Sequence, residues 1–175
     1  MRIREIYKDR IEAIYYFSSC IDFHLYGIGW DQPIQGFGPD YHQAARKVYR
    51  GIIPADLQRK REVMSDFKFA ICFENCAFPG YVTEKIFDCF LAGCIPVYFG
   101  APDITDFIPK ESFIDFREFG NYAEVDRFLR GMTEVQARSY LDAAREFLAN
   151  PAFDKFTVDY FVNDILNVME QEFDS

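Results

Sequence analysis

The sequence is poor in histidine and has no long apolar run. Its 175 residues include only 2 histidines, His24 and His42, and these two show no metal-ligand spacing. No stretch approaches the length of a transmembrane helix, and residues 1–10 are charged rather than signal-like. These absences disfavour a histidine metal centre and stable membrane insertion, and they lead us to expect a cytoplasmic protein.

Positive charge is also scarce. The 19 Lys and Arg residues are outnumbered by 28 Asp and Glu, so the formal net charge is −9. This charge disfavours general binding to nucleic acid or to anionic membranes. The 5 cysteines are odd in number and have no zinc-site spacing, so we interpret them as reduced thiols packed like small hydrophobic side chains. Motifs of serine hydrolases, zinc proteases and P-loop proteins are absent from the sequence.

Apolar and aromatic residues, in contrast, are abundant. Half of the chain is hydrophobic, with 20 Phe and 11 Tyr, which is enough for one well-packed domain over residues 1–175. Strand-like and helix-like patterns alternate along the sequence. This alternation predicts an α/β fold in which helices cover both faces of a Rossmann-like, mostly parallel sheet.

The clearest unit is residues 67–100, which we interpret as strand, helix and strand. Apolar residues alternate over 67–73, and 95–99 is a charge-free apolar run. Between them Thr83 is the predicted N-cap of a helix that ends at Gly93. Ligands of open α/β sheets bind beyond the carboxyl ends of the strands. Five polar or aromatic residues are predicted to gather there: Glu74, Asn75, Tyr81, Glu84 and Lys85.

The remaining elements are predicted from periodicity and capping patterns. We expect helices over 3–17 and 57–64, two more after the capping patterns at Asn121 and Thr133, and a last helix over 157–173 with its apolar residues facing inward. Short strands are predicted at 23–26 and 113–116. Residues 31–56, rich in Gly and Pro, are predicted to be a loop.

Lys85 and Glu84 are the residues with the most informative chemistry. A lysine in the first helical turn opposes the helix dipole, and a cation at a helix N-terminus favours phosphate binding. The alternative, equally open from spacing, is a surface lysine paired with Asp88 or Glu84. Glu84 is suited to accept hydrogen bonds from ribose, or it simply satisfies the helix dipole. Upstream, the basic stretch 46–51 either faces an anionic ligand or is a solvated surface.

The sequence resembles the alpha-1,3-fucosyltransferase family over nearly its whole length. The residues that carry this resemblance are Asp22 to Gly27, Gly29-Trp30, Tyr49-Arg50-Gly51, Phe67-Lys68-Phe69, Phe73-Glu74-Asn75, Tyr81 to Lys85, Ile95-Pro96-Val97, Gly100, Phe107-Ile108-Pro109 and Ser112-Phe113-Ile114.

The resemblance implies one half of a glycosyltransferase B-type architecture, the half that binds GDP-fucose. Members of the family transfer L-fucose with inversion to a sugar hydroxyl, here of an N-acetylglucosamine-type acceptor. Lys85 and Arg50 would contact the diphosphate and support departure of GDP, and Glu84 would contact the ribose. The remaining predicted donor-site residues are Glu74, Asn75, Tyr81 and Thr83. No metal and no cofactor besides the donor substrate is expected.

The sequence departs from the family in lacking the N-terminal acceptor-binding half, which carries the general base. We therefore expect a truncated polypeptide or a partial gene product that binds the donor without efficient turnover. A glycan acceptor would need the missing half. Two alternatives remain open: a glycosyltransferase of the same architecture that uses another nucleotide sugar, and a non-catalytic domain that binds nucleotide sugars.

Overall fold

Strands and helices alternate along the chain, as the patterns predict. The structure is a computed structural model, and it describes residues 4–20, 22–54 and 56–173. The helices are α1 (Tyr7–Phe17), α2 (Pro39–Val48), α3 (Leu57–Ser65), α4 (Glu84–Ala92), α5 (Tyr122–Gly131), α6 (Glu134–Leu148) and α7 (Val158–Phe173). The strands are β1 (Arg4–Glu5), β2 (Phe69–Phe73), β3 (Cys76–Ala77), β4 (Ile95–Phe99) and β5 (Ile114–Asp115).

The main sheet is parallel, with the strand order β2-β4-β5. Phe69 is in register with Ile95, and Val97 is in register with Ile114. Every residue of β4 is buried, which explains its uninterrupted apolar sequence. The short strands β1 and β3 form a separate antiparallel pair next to the end of β2.

Helices cover both faces of this sheet. Ile95, Val97 and Phe99 of β4 share a buried cluster with residues of α1, α5 and α6. Tyr98, which points to the opposite face, belongs to a second cluster with residues of α4 and α6. The predicted α/β class with two helical layers is therefore confirmed.

The predicted unit over 67–100 is also confirmed. Helix α4 begins immediately after Thr83 and ends at Gly93, whose φ of 71° is in the left-handed region where glycine is favoured. Thr83 occupies the N-cap position, but its hydroxyl makes no capping hydrogen bond. Farther along, Asn121 caps α5, and Thr133 and Gln136 form the predicted capping box of α6.

Three local predictions are wrong. Residues 39–48 form helix α2 instead of a loop, because Pro39 fits the first helical turn and an apolar stripe that includes Ala45 and Val48 becomes buried. The strand predicted at 23–26 is reduced to a single parallel bridge between Leu25 and Tyr49. On α7 the apolar residues are exposed, as Phe161 is to 63%.

The start of the chain also differs from the prediction. Helix α1 begins at Tyr7, after Arg4 and Glu5 have entered β1. Ile3, which was predicted to belong to this helix, lies outside the described residues. Within those residues, none of the helices is both long enough and apolar enough to span a bilayer.

Candidate functional site

A buried carboxylate, that of Glu74, is the centre of the candidate site. Glu74 follows β2 directly, its backbone N–H donates to the carbonyl of Phe99 at 2.8 Å, and its side chain is 0% exposed. The N–H of Thr83 donates to Oε1 at 2.9 Å, and the hydroxyl of Thr83 donates to Oε2 at 2.7 Å. A buried carboxylate is costly unless it is hydrogen-bonded and paired with a cation. Glu74 therefore ties the end of β2 to the start of α4.

The cation that pairs with Glu74 is Lys85. Its Nζ donates to Oε2 of Glu74 at 3.0 Å and to Oγ1 of Thr83 at 2.8 Å. Glu84 approaches the same ammonium only to 3.8 Å, beyond hydrogen-bond distance, and its side chain is 66% exposed. The predicted alternative of a Lys85–Asp88 pair is wrong, because Asp88 pairs with Lys60. Lys85 is thus held at the start of α4 by the residue that directly follows β2.

Gly100 leaves room for this arrangement. A Cβ atom built on Gly100 would lie 2.5 Å from Cγ of Glu74 and 2.4 Å from the phenol oxygen of Tyr98. That oxygen accepts a hydrogen bond from the N–H of Ala101 at 3.0 Å, and burial raises the pKa of Tyr98 well above its ordinary value. The packing of Glu74 and Tyr98 therefore requires a residue without a side chain at position 100.

Arg10 is a residue of this region that the sequence interpretation did not assign to the site. From α1, its Nη2 donates to the carbonyls of Phe73 and Glu74 at 2.8 and 3.1 Å and to Oδ1 of Asn75 at 2.9 Å. Asn75 is thereby fixed beside the end of β2. The available signal was a charged residue on the otherwise apolar face of α1, between Ile6 and Ile14.

Tyr81 lies in a loop that a second carboxylate holds. Both oxygens of Asp103 accept from the N–H of Gly80, at 2.9 and 3.1 Å, and the N–H of Tyr81 donates to the carbonyl of Phe78 at 3.0 Å. Tyr81 is half-buried. The loop between β3 and α4 is thus anchored from the segment that follows β4.

Arg50 is the predicted site residue that the structure does not join to this group. It is exposed, and its Nη1 donates to the carbonyls of Tyr49 and Lys47 at 3.2 and 3.4 Å. Its backbone N–H donates to the carbonyl of Leu25 at 2.8 Å. The guanidinium therefore bonds to the C-terminal end of α2, and none of these partners belongs to the group around Glu74 and Lys85.

A cavity of about 890 Å³ opens beside the cluster, and Lys85, Arg10 and Lys60 lie on its wall. Its volume is within the range of small-molecule sites. The other predicted site residues do not line it. Across the described ranges, no group of three or more His, Cys, Asp or Glu side chains is arranged to hold a metal ion. A metal-independent donor site stays a prediction.

The chain matches a known protein family over most of its length. Residues 7–149 match the family profile described as "Glycosyltransferase family 10 (fucosyltransferase) C-term". The Alpha-(1,3)-fucosyltransferase FucT of Helicobacter pylori is 37% identical over 98 residues, which is 55% of this chain and 20% of that protein. The Alpha-(1,4)-fucosyltransferase of Arabidopsis thaliana is 42% identical over 67 residues, 38% of this chain and 17% of that protein.

Longer matches are more distant. The mouse (Mus musculus) 4-galactosyl-N-acetylglucosaminide 3-alpha-L-fucosyltransferase 9 is 28% identical over 137 residues, which is 76% of this chain and 32% of that protein. The chain therefore spans between 17% and 32% of the length of these relatives. A solved structure of an alpha1,3-fucosyltransferase with GDP-fucose is 25% identical in sequence to this chain. The match covers 78% of this chain and 34% of the chain in that structure, with a TM-score of 0.49.

Proposed function

Because this chain belongs to glycosyltransferase family 10, the fucosyltransferases, we propose that it forms the donor-binding half of an enzyme of glycosyltransferase B-type architecture. The reaction is the transfer of L-fucose from GDP-fucose, with inversion, to a hydroxyl of an N-acetylglucosamine-type acceptor. GDP-fucose is the ligand of this half, and the acceptor is bound by the other half. Neither a metal ion nor a further cofactor takes part.

The buried Glu74–Lys85 pair is the observation that carries this proposal. It holds an ammonium group at the N-terminus of α4, where the first amides of the helix also favour an anion. Departure of GDP develops negative charge on the diphosphate, and a fixed cation stabilises that charge. In the structure Glu74 already compensates this lysine in the first turn, which is unfavourable for an isolated helix. In this proposal the diphosphate is a second anion at the same position.

The other roles follow from exposure and charge. Glu84, largely exposed beside Lys85, accepts hydrogen bonds from the ribose of the donor. Tyr81 and Asn75 line the donor site, each held by the contacts of its own loop. Arg50 is the second diphosphate cation, and its long hydrogen bonds to backbone carbonyls, at 3.2 and 3.4 Å, leave the guanidinium able to turn toward the ligand.

Binding of nucleotides to the 175-residue protein tests this proposal. We expect calorimetry to show that GDP binds at least about tenfold more tightly than UDP or CDP, a difference of ~1.4 kcal/mol. Preference for UDP or CDP would instead favour a transferase that uses another nucleotide sugar. Equal binding of all three, or no binding by a folded sample, would contradict the donor assignment.

A transfer assay tests whether this polypeptide binds the donor but needs the acceptor-binding half for catalysis. The matched profile is the C-terminal part of the family. In this proposal the general base belongs to the acceptor-binding half. We therefore expect the 175-residue polypeptide to bind GDP-fucose without efficient transfer to an N-acetylglucosaminide or galactoside. Robust turnover by this polypeptide alone would show that a base is present among its own residues.

A further inference from the structure

We infer that Glu74 and Thr83 are positioning residues that hold the Lys85 ammonium so that a single N–H is presented to the diphosphate of the donor. This inference rests on the proposed function, since the diphosphate is the anion that Lys85 would meet. It changes the part assigned to Glu74 and Thr83, which the family resemblance predicts to be donor contacts. In the structure these two residues act on Lys85 instead.

The hydrogen bonds around Lys85 form a closed ring of three groups. Nζ donates to Glu74 Oε2 at 3.0 Å and to Thr83 Oγ1 at 2.8 Å, while the Thr83 hydroxyl donates its own proton to the same Oε2 at 2.7 Å. A lysine ammonium has three N–H donors and no acceptor. Two of the donors are therefore used inside the protein. Within the part of the chain that the structure describes, no third acceptor lies within hydrogen-bond distance.

The ring is attached to rigid parts of the fold. Glu74 is fully buried, its Oε1 accepts the N–H of Thr83 at 2.9 Å, and Gly100 packs against its Cγ. Lys85 itself is only 27% exposed. A free lysine side chain loses much of its rotamer entropy when a ligand fixes it. Here the fold has already fixed the side chain, so ligand binding avoids that loss.

Direct contact of Glu74 or Thr83 with a diphosphate is disfavoured by the same geometry. Glu74 carries negative charge and has no exposed surface, so it can neither reach nor attract an anion. Thr83 donates its only hydroxyl proton to Glu74 and therefore has no proton left for a phosphate oxygen. Both residues thus act on the ligand through Lys85.

A pair of Thr83 variants separates positioning from folding. Thr83→Val removes the hydroxyl at nearly constant shape, and because this hydroxyl makes no capping bond, α4 should remain intact. We expect the variant to bind GDP about three- to tenfold more weakly than the wild type, with unchanged affinity for guanosine, which lacks the diphosphate. Thr83→Ser keeps the hydroxyl and should bind GDP like the wild type. Unchanged GDP binding by folded Thr83→Val would overturn the inference, and so would an equal loss of guanosine affinity.

A charge-balanced background tests whether Thr83 acts through Lys85. In Glu74→Gln/Lys85→Met the buried carboxylate and its cation are removed together, so that no unpaired charge remains buried. Adding Thr83→Val to this background should cause no further loss of GDP affinity. A further loss of the same size as in the wild type would mean that Thr83 contacts the nucleotide itself, which would refute the positioning role.

Relaxation of the lysine ¹⁵Nζ signals tests the geometry without any ligand. We expect the ammonium of Lys85 to be more restricted than that of Lys8, an exposed lysine on α1, and Thr83→Val to release it. If Lys85 is as mobile as Lys8, positioning is refuted whether or not GDP binds. If Lys85 is restricted but the folded wild type does not bind GDP, the ring is supported and the proposed donor function fails.

Discussion

Gly100 has no side chain, and the space this leaves is occupied by two side chains of the site. The distances of 2.5 Å to Glu74 and 2.4 Å to Tyr98 from an added Cβ are too short for any real contact. Gly100 follows β4, whose residues are all buried. The surrounding side chains can therefore move only partly to make room for an added Cβ. Glycine is therefore required at position 100 because Glu74 and Tyr98 approach its backbone closely, and not because of an unusual backbone angle.

Gly100→Ala should lower the free energy of unfolding by roughly 1–3 kcal/mol, the usual cost of overpacking. It should also weaken GDP binding, because Glu74 can no longer hold Lys85 in place. Gly131→Ala is a matched control, since an added Cβ at Gly131 meets no atom within 4 Å. Denaturant unfolding and GDP calorimetry on both variants would check this. Equal stability of Gly100→Ala and Gly131→Ala would contradict the packing described for Gly100.

Single residues also show where sequence interpretation stops. Lys85 stands out in the sequence because a cation in the first turn opposes the helix dipole. Its partner Glu74 lies 11 positions upstream, and only the crossing from β2 to α4 brings the two together. Arg10 contacts the carbonyl of Phe73 across 63 positions, a separation that no local pattern encodes. The special chemistry of Lys85 and its proximity to Glu74 were predictable, whereas the ion pair between them and the contacts of Arg10 were not.

Local sequence patterns predict helices and strands best where the apolar face that they imply is buried in the folded protein. The unit of β2, α4 and β4 was predicted because strand alternation, an apolar helix face and a terminal glycine agree with one another. The capping box of α6 was predicted because its hydrogen bonds lie within four residues.

The wrong predictions for α2 and α7 also have physical explanations. Helix α2 was missed because flanking glycines and prolines suggest a loop, although Gly38 and Pro39 are suited to starting a helix. On α7 the apolar pattern was real, but Phe161 and Ile165 remain exposed on the helix. A helical pattern identifies an apolar face without identifying what would cover it.

Taken as a whole, the molecule is an acidic protein to which we assign an anionic ligand. A net charge of −9 would repel a nucleoside diphosphate at long range. Salt screens exposed charges beyond about 8 Å at physiological ionic strength, so the cations close to the ligand dominate. The alternation of strand-like and helix-like patterns correctly predicted the α/β class. It could not predict the cavity beside Lys85, which depends on how distant segments pack.

We propose that Lys85, together with Arg50, binds the diphosphate of GDP. This role can be tested by calorimetric titration of GDP into Lys85→Ala and Arg50→Ala. Each variant should bind more weakly by roughly 1–3 kcal/mol, the scale of charge-assisted hydrogen bonds. Lys8→Ala and Arg138→Ala, which remove exposed cations from α1 and α6, are the matched controls and should bind like the wild type.

Lys85→Ala leaves the buried Glu74 without its cation, so its thermal midpoint must be measured alongside. If it does not fold, Glu74→Gln/Lys85→Met takes its place, and the same loss of GDP affinity is expected. Folded protein without the Lys85 ammonium should bind GDP more weakly than the Lys8→Ala control by about tenfold or more. GDP affinity equal to that of the control would contradict the proposed role of Lys85.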